Sequence, residues 1–475
     1  MQYRPAARAL KAASIGRDTG LPYNWACTRS RESVSREMPQ KSHVCVVGAG
    51  RSGAVTAACL AELGHAVRAL DINERLIASL GEGRAPFHEP GLDALLERNL
   101  QADRLSFTTL TEKGVADASF VLLCVDTPAQ ENGEANLSSL WTAAGDVAPL
   151  LRDGAIVITR STVPIGTNAR LFDTIRAANA SAVFEVVSNP EFLREGHAVD
   201  DFLRPDRIII GARTEEAART AGRLYEGIET QIVYTDLETA EMVKYAANAY
   251  LATSVSFINE IANLCERVGA DVSVVAEALK LDKRIGPRAY LAPGIGFGGS
   301  CLPKDLRALI STAEEHGGSP ALLQAVVRVN ELQPRRIIEQ MKDTLGDLRG
   351  KHVAVLGISF KGGTFDARSS PALAVMKLLV AEGAAVRAFD PLADGTTREQ
   401  VATGAVASDA YAAAEGASAV VVATDHDEFR TLVPARLAEV MASRVIVDGR
   451  NLLDPEAFEQ AGFVYMGVGR PSRRE

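Results

Sequence analysis

Ten residues, Gly296-Phe297-Gly298-Gly299-Ser300-Cys301-Leu302-Pro303-Lys304-Asp305, place one thiol where a glycine-rich loop turns into a helix. Four glycines between Gly294 and Gly299 let backbone approach a ligand without Cβ clashes, and Pro303 stands where a first-turn proline starts a helix. The unpaired N–H groups of that turn, with Lys304, are expected to favour thiolate over thiol and so to lower the Cys301 pKa. Asp305, one helical turn further on, shares the same side of the helix. These residues suit nucleophilic attack by sulfur; the plainer reading, a glycine turn beside a small core cysteine, stays open on this segment alone.

A partner for that thiol is suggested near the N-terminus. His43 to Val47 is an apolar strand running into Gly48-Ala-Gly50-Arg-Ser-Gly53, followed by a helical stretch from Ala54 to Leu63 and a second short strand, Ala66 to Leu70, that ends in Asp71. Strand, glycine turn, helix and strand with a terminal acid is the order a dinucleotide needs: diphosphate on the helix N-terminus and the Asp71 carboxylate on the adenosine ribose. An acid there, with no arginine in its place, points to NAD over NADP.

The elements that would carry these groups follow in a regular order from Lys41. Strand-like runs at Ser119 to Val125, Ala155 to Thr159, Phe184 to Val187 and Arg207 to Gly211 alternate with helical patterns, as in a doubly wound parallel sheet. Thr239 to Gly269 reads as one long helix, too long for a crossover, linking two domains. A second α/β unit opens at Lys351, with His352 to Gly357, a helix after Pro371, and strands at Ala385 to Asp390, Ala419 to Thr424 and Arg444 to Asp448. The expected fold class is therefore α/β, two Rossmann-like doubly wound domains joined by a long central helix, with ligands at the carboxyl ends of the strands. The expected boundaries are 41–238 for the cofactor domain, 239–334 for a central helical domain carrying Cys301, and 335–475 for the second unit.

Composition agrees. A chain of 475 residues, 47% hydrophobic and 23% charged, is long enough for two or three cored domains. It has no apolar run long enough to span a membrane. A net charge of −9 argues against a general nucleic-acid binder. The six cysteines, Cys27, Cys45, Cys59, Cys124, Cys265 and Cys301, show no C-x-x-C pairing, which fits a reducing, cytoplasmic setting and no metal site. Residues 1–40, with seven Arg or Lys against three acids and no apolar periodicity, read as a disordered or targeting extension.

With these elements in place the chain resembles the UDP-glucose/GDP-mannose dehydrogenase family over residues 41 to 470. The matching motifs are the glycine turn, His88-Glu-Pro-Gly-Leu92, Ser161-Thr-Val-Pro-Ile-Gly166, Asn189-Pro-Glu-Phe-Leu-Arg-Glu-Gly196, Lys244-Tyr-Ala-Ala-Asn248, Ser256-Phe-Ile-Asn-Glu-Ile261, the Cys301 segment, Phe360-Lys361 and Asp448-Gly-Arg450. The resemblance implies oxidation of a nucleotide-sugar C6 alcohol to a carboxylate, with loss of four electrons to two NAD. It implies a thiohemiacetal and then a thioester on Cys301, oxyanion stabilisation by Lys244 and Asn248, and water held by Asp305, Glu195 and Thr162. Cofactor contacts are implied for Gly48, Gly50, Gly53, Asp71, Thr127, Thr162, Glu195, Lys304 and Arg368. Substrate contacts are implied for Glu191, Phe192, Leu193, Arg194, Lys244, Asn248, Tyr290, Gly294, Gly298, Lys361 and Arg450, with Arg284 supplied to a neighbouring subunit of a homodimer.

Some positions depart from the family pattern: Arg51-Ser52 inside the glycine turn, Asp126, Arg160, and Gly362-Gly363-Thr364-Phe365 after the Phe-Lys pair. Asp126 is expected to weaken NAD binding. UDP-glucose is favoured as substrate, with GDP-mannose and dTDP-glucose as alternatives. A two-electron β-hydroxyacid dehydrogenase would need neither Cys301 nor the second unit. A non-catalytic nucleotide-sugar sensor would be expected to lose some of Cys301, Lys244, Asn248 and Asp305, and all four are present.

Overall fold

The computed structural model describes residues 41–130, 133–401 and 405–471. The expectations for residues 1–40 lie outside these.

Eight strands form the first sheet: β1 (His43–Val47), β2 (Ala66–Leu70), β3 (Leu105–Thr108), β4 (Phe120–Leu123), β5 (Ala155–Thr159), β6 (Phe184–Ser188), β7 (Ile208–Ala212) and β8 (Ile232–Thr235). Their order is β3-β2-β1-β4-β5-β6-β7-β8. β1, β4, β5 and β7 are almost wholly buried because helices cover both faces, which is why they read as continuous apolar runs. The sheet is not wholly parallel: β7 runs antiparallel to β6 and then pairs in parallel with β8. The second sheet holds β9 (His352–Leu356), β10 (Ala385–Phe389), β11 (Ala419–Val422), β12 (Val445–Asp448) and β13 (Val464–Gly467), all parallel in the order β10-β9-β11-β12-β13. In each sheet the order reverses beside the first strand, at β1/β4 and at β9/β11, and the crevice at the strand carboxyl ends opens there.

Between the sheets runs the central helix, Leu237–Val268, of 32 residues and therefore about 48 Å long. Asp236 caps its start by accepting from the Thr239 N–H at 2.7 Å, and Gly269 ends it in the left-handed region at φ 75°. The Cys301 helix, Leu302–Glu315, and a 25-residue helix, Ala321–Leu345, pack against it. The latter continues through Pro334, where a proline normally marks an end. A small apolar cluster including Ala249, Ala252, Phe297 and Leu306 sits between these helices and fixes the Cys301 loop against the central helix.

Candidate active site

The glycine turn after β1 shows what each glycine does. Gly48 has φ +91°, and a Cβ there would lie 2.9 Å from the Cys124 carbonyl oxygen. At Gly53 a Cβ would fall 1.8 Å from the Gly48 carbonyl oxygen, so helix and turn touch backbone to backbone. Gly50 has nothing within 4 Å of its would-be Cβ, and that open cradle sits at the N-terminus of the helix Arg51–Glu62. Asp71 braces the same turn, accepting from the Ala49 N–H at 2.8 Å and the Asn73 N–H at 2.9 Å. Thr127 on the facing loop donates to the Thr162 carbonyl at 2.8 Å and Ser161 to the Val125 carbonyl at 2.6 Å, which ties the loops after β4 and β5 together.

A cavity of about 580 Å³ joins this turn to the thiol, its wall including Gly50, Thr127, Thr162, Glu191, Glu195 and Cys301. Cys301 is the N-cap of its helix and keeps open surface, whereas Cys45, Cys59, Cys124 and Cys265 are buried. The expectation of a lowered thiol pKa is corrected. Enclosure by protein pushes the thiol up from its ordinary value; Lys244 opposes this, while Glu191 and Asp305 add to it. Desolvation is the largest of these effects. Lys304 does not serve the sulfur as expected: its Nζ is 2.6 Å from Asp305 Oδ1. The rate of Cys301 alkylation by iodoacetamide should therefore climb about tenfold per pH unit from neutral pH to at least the ordinary thiol value near 8.5. A plateau already reached at pH 7 would show a depressed pKa.

Asp305 is buried and accepts from Asn248 Nδ2 at 2.5 Å, joining the Cys301 helix to the central helix. Lys244, one turn before Asn248, is buried with its Nζ 3.7 Å from Glu191 Oε1 and over the Phe192 ring at 5.1 Å. Phe192 is packed on its other neighbour, Arg207, at 3.8 Å. The Glu191 carboxylate also accepts from the Leu193 N–H at 2.6 Å. Cys301, Lys244, Asn248, Asp305 and Glu191 thus form one neighbourhood. Glu195 lines the same cavity, with its carboxylate accepting from Arg51 at 2.8 Å, Thr364 at 3.2 Å and Arg368 at 3.3 Å.

The second sheet supplies the opposite wall. Arg450 donates to the carbonyls of Ala423 and Phe360 in its own unit and, at 3.4 Å, to that of Gly296, while Lys361 reaches across the cleft to the Glu195 carbonyl at 2.7 Å. Gly294 packs against Gly449 and Arg450, and a Cβ at Gly298 would sit 2.3 Å from the Ser369 carbonyl oxygen. Tyr290 is half exposed, with Arg450 among its charged neighbours. Arg194 forks onto Asp201, and Arg284 onto Asp282 with its side chain largely in solvent. Asp390, which follows β10 as Asp71 follows β2, is buried and accepts from the Ile358 and Ser359 N–H groups and from Ser359 Oγ, with His426 at 3.2 Å. Burial opposes its ionisation, yet these hydrogen bonds hold its carboxyl down at about 2.

Several supporting residues were not read from sequence as such. Glu89, inside the His88-Glu-Pro-Gly motif, is buried and accepts from the Gly196 and Ala198 N–H groups, holding the loop that carries Glu195. Glu241, one turn before Lys244, accepts from the Gly166 and Asn168 N–H groups at the N-terminus of the helix Thr167–Ala178, and burial pushes its carboxyl up to about 7. Asn330 holds both the N–H and the carbonyl of Phe297. Glu89 stood inside a motif already noted, whereas Glu241 and Asn330 carried no comparable signal. Among the described residues no group of three or more His, Cys, Asp or Glu side chains is arranged for a metal ion, and no helix is long and apolar enough to cross a membrane.

Residues 42–229 match the NAD binding domain of the UDP-glucose/GDP-mannose dehydrogenase family, 238–332 its central domain and 354–455 its UDP binding domain. The chain belongs to this family. It is 41% identical over 436 residues to the UDP-glucose 6-dehydrogenase TuaD of Bacillus subtilis (strain 168), covering 91% of this chain and 94% of that one. A UDP-glucose 6-dehydrogenase of Pseudomonas aeruginosa is 42% identical over 446 residues, covering 90% and 97%. Among solved structures, a UDP-glucose dehydrogenase from Pyrobaculum islandicum is similar with a TM-score of 0.85 and 37% identity, covering 91% of this chain and 98% of that one. As a member of the UDP-glucose/GDP-mannose dehydrogenase family the protein is an oxidoreductase whose cofactor is NAD. The Gly50 cradle, the free first-turn N–H groups and the acid at the end of β2 fit that cofactor.

Proposed function

We propose that this protein oxidises the C6 alcohol of UDP-glucose to the carboxylate of UDP-glucuronate, with Cys301 holding the sugar between two oxidations. The observation that carries this reading is the single cavity shared by the glycine turn and the Cys301 thiol, with the Lys244–Glu191 pair beside it. NAD, when bound, accepts one hydride from C6 at each oxidation. Residues of the chain do the rest. Glu191, 3.7 Å from Lys244, is the carboxylate placed to take the proton of the C6 hydroxyl, a part that the position of Glu195 does not suit. The Cys301 sulfur then bonds to the aldehyde carbon, giving a thiohemiacetal whose oxygen faces Lys244 and the Asn248 amide. Loss of the second hydride leaves a thioester. Water, oriented between Asp305 and Thr162, attacks its carbonyl carbon; the C–S bond breaks, sulfur regains its proton and the uronate leaves.

The second sheet, with Lys361, Arg450, Tyr290 and Gly294 at its mouth, is assigned to the uridine diphosphate. Purified protein should release about two NADH per UDP-glucose consumed, because a covalently held aldehyde does not leave between steps. Free aldehyde at a ratio near one would remove the thiohemiacetal, and faster turnover with GDP-mannose or dTDP-glucose would reassign the substrate.

The central helix bears Tyr250, Phe257 and Leu264 exposed at seven-residue intervals, a stripe that a second helix would cover. We infer that two copies pair there and that Arg284, free of its own chain apart from Asp282, reaches the partner's substrate site. Sedimentation at micromolar concentration should show a dimer, and Phe257→Glu should yield monomers with little activity. A fully active monomer would remove Arg284 from the site.

A further inference from the structure

Arg51 is the first residue of the helix that follows the glycine turn, and it lines the shared cavity. Its guanidinium donates to Glu195 Oε2 at 2.8 Å and approaches Thr364 Oγ1 at 3.4 Å. It also lies 5.3 Å from the Phe87 ring and 5.3 Å from the Phe365 ring, and so is clasped by one aromatic residue from each Rossmann-like unit. Only one-fifth of the Arg51 side chain and 16% of that of Glu195 remain open to solvent. This is a pair with enough burial to matter, unlike a surface ion pair.

From Glu195 the contacts run entirely into the 361–368 segment of the second unit. Thr364 and Arg368 bind its carboxylate and Lys361 its carbonyl, while the Gly196 backbone lies so close to Gly363 that a Cβ would fall 2.7 Å from the Gly363 carbonyl oxygen. The same segment reaches the thiol loop. The Gly299 N–H donates to the Arg368 carbonyl at 2.9 Å, and Gly298 rests against Ser369. One unbroken series of contacts therefore leads from the helix terminus that meets the cofactor diphosphate, through Arg51 and Glu195, to the second unit and on to the residues immediately before Cys301.

An ion pair anywhere along the cleft would hold two units together. This one has its cationic end fixed in the first turn of the cofactor helix, so any adjustment of that turn around a diphosphate is felt by the 361–368 segment. We propose that Arg51 is a positioning residue that couples occupation of the glycine turn by a dinucleotide to docking of the second unit, so that NAD and a nucleoside diphosphate on that unit bind with positive cooperativity. The proposal rests on the assignment of the second unit to the substrate nucleotide. Coupling of this kind is reciprocal.

The test uses the full chain, with UDP as the probe for the second unit, and titration calorimetry of UDP alone first establishes saturation. In the wild type, saturating UDP should tighten NAD binding by about fivefold or more. Arg51→Met keeps the aliphatic stem and removes the donors; its ratio of NAD affinities with and without UDP should fall to within about twofold of one, and Arg51→Lys should restore part of the coupling. Phe365→Leu, which alters the clasp on Arg51 from the opposite unit, should lower the ratio as well, and the double variant should go no lower than Arg51→Met alone. A merely structural role would weaken NAD binding equally with and without UDP and leave the ratio unchanged. That unchanged ratio in either single variant, or a wild-type ratio of one with UDP bound, would overturn the proposal. No binding of UDP at all would strike the nucleotide-sugar reading of the second unit first, and this inference with it.

Discussion

Cys301→Ser will fold as the wild type does and stop turning over. The residue it alters keeps open surface on the cleft, its one side-chain hydrogen-bond contact among the described residues is with Ser300 Oγ at 3.5 Å, and serine is nearly the same size, so the melting temperature should match the parent within about 1 °C. The chemistry is another matter. A serine hydroxyl is almost wholly protonated at neutral pH and adds poorly to an aldehyde, and an oxygen ester yields to water less readily than a thioester. The expected result is a brief release of no more than about two NADH per site followed by a steady rate lower by on the order of 10³-fold. Rapid-quench measurement of NADH against released uronate reads both phases. Steady turnover at the parental rate would take sulfur out of the reaction altogether.

Gly53→Ala and Gly50→Ala should fail in opposite ways. The methyl group added at Gly53 must lie 1.8 Å from the Gly48 carbonyl oxygen and 3.3 Å from Cys124 Cβ; backbone cannot rotate out of the way, so turn and helix must separate. A cost of about 3 kcal/mol follows from overpacking of this kind, equivalent to a fall of roughly 6–12 °C in the melting temperature of the first unit. NAD affinity should fall with it. Gly50 has φ −58° and no neighbour within 4 Å, so alanine there meets nothing in the protein and the melting temperature should stay where it is. Its methyl group instead fills the space through which a diphosphate approaches the first-turn N–H groups, and NAD affinity should drop at least about tenfold. Calorimetry and NAD titration of the two variants separate these effects. Parental NAD affinity in Gly50→Ala would place the diphosphate elsewhere.

What sequence showed and what it hid divide along physical lines. Strands such as β1, β5 and β11, covered on both faces, announce themselves as apolar runs, and the glycine turn and the Lys244/Asn248 spacing depend on local geometry that a linear chain displays. β3, β8 and β13 went unread because they are four-residue strands at sheet edges, half open to water and mixed in composition. The antiparallel turn into β7 leaves no trace in composition. For the site, the motif placed Cys301 at a helix N-terminus, as found, but the direction of its pKa depends on how far protein encloses the sulfur, which no spacing encodes. Glu195 was set beside Asp305 and Thr162 by the family resemblance alone. Its actual partners, Arg51 and Thr364, stand 144 and 169 residues away, and contacts at that separation become visible only once the two units are side by side.

The two Rossmann-like units carry an equivalent carboxylate at different depths. Gly48 and Gly357 both donate to the last carbonyl of the neighbouring strand, and Ala49 and Ile358, the next residues, both donate to the acid beyond it, Asp71 or Asp390. Asp71 is only partly buried; Asp390 is sealed, 2% exposed, beneath Ser359, which stands where the first unit has Gly50. The same position thus holds a partly open acid in one unit and an internal brace in the other. On the proposed assignment of the second unit to the sugar nucleotide, a sealed acid offers a dinucleotide no ribose acceptor there, and raising NAD should speed the reaction to saturation without introducing inhibition competitive with the nucleotide sugar.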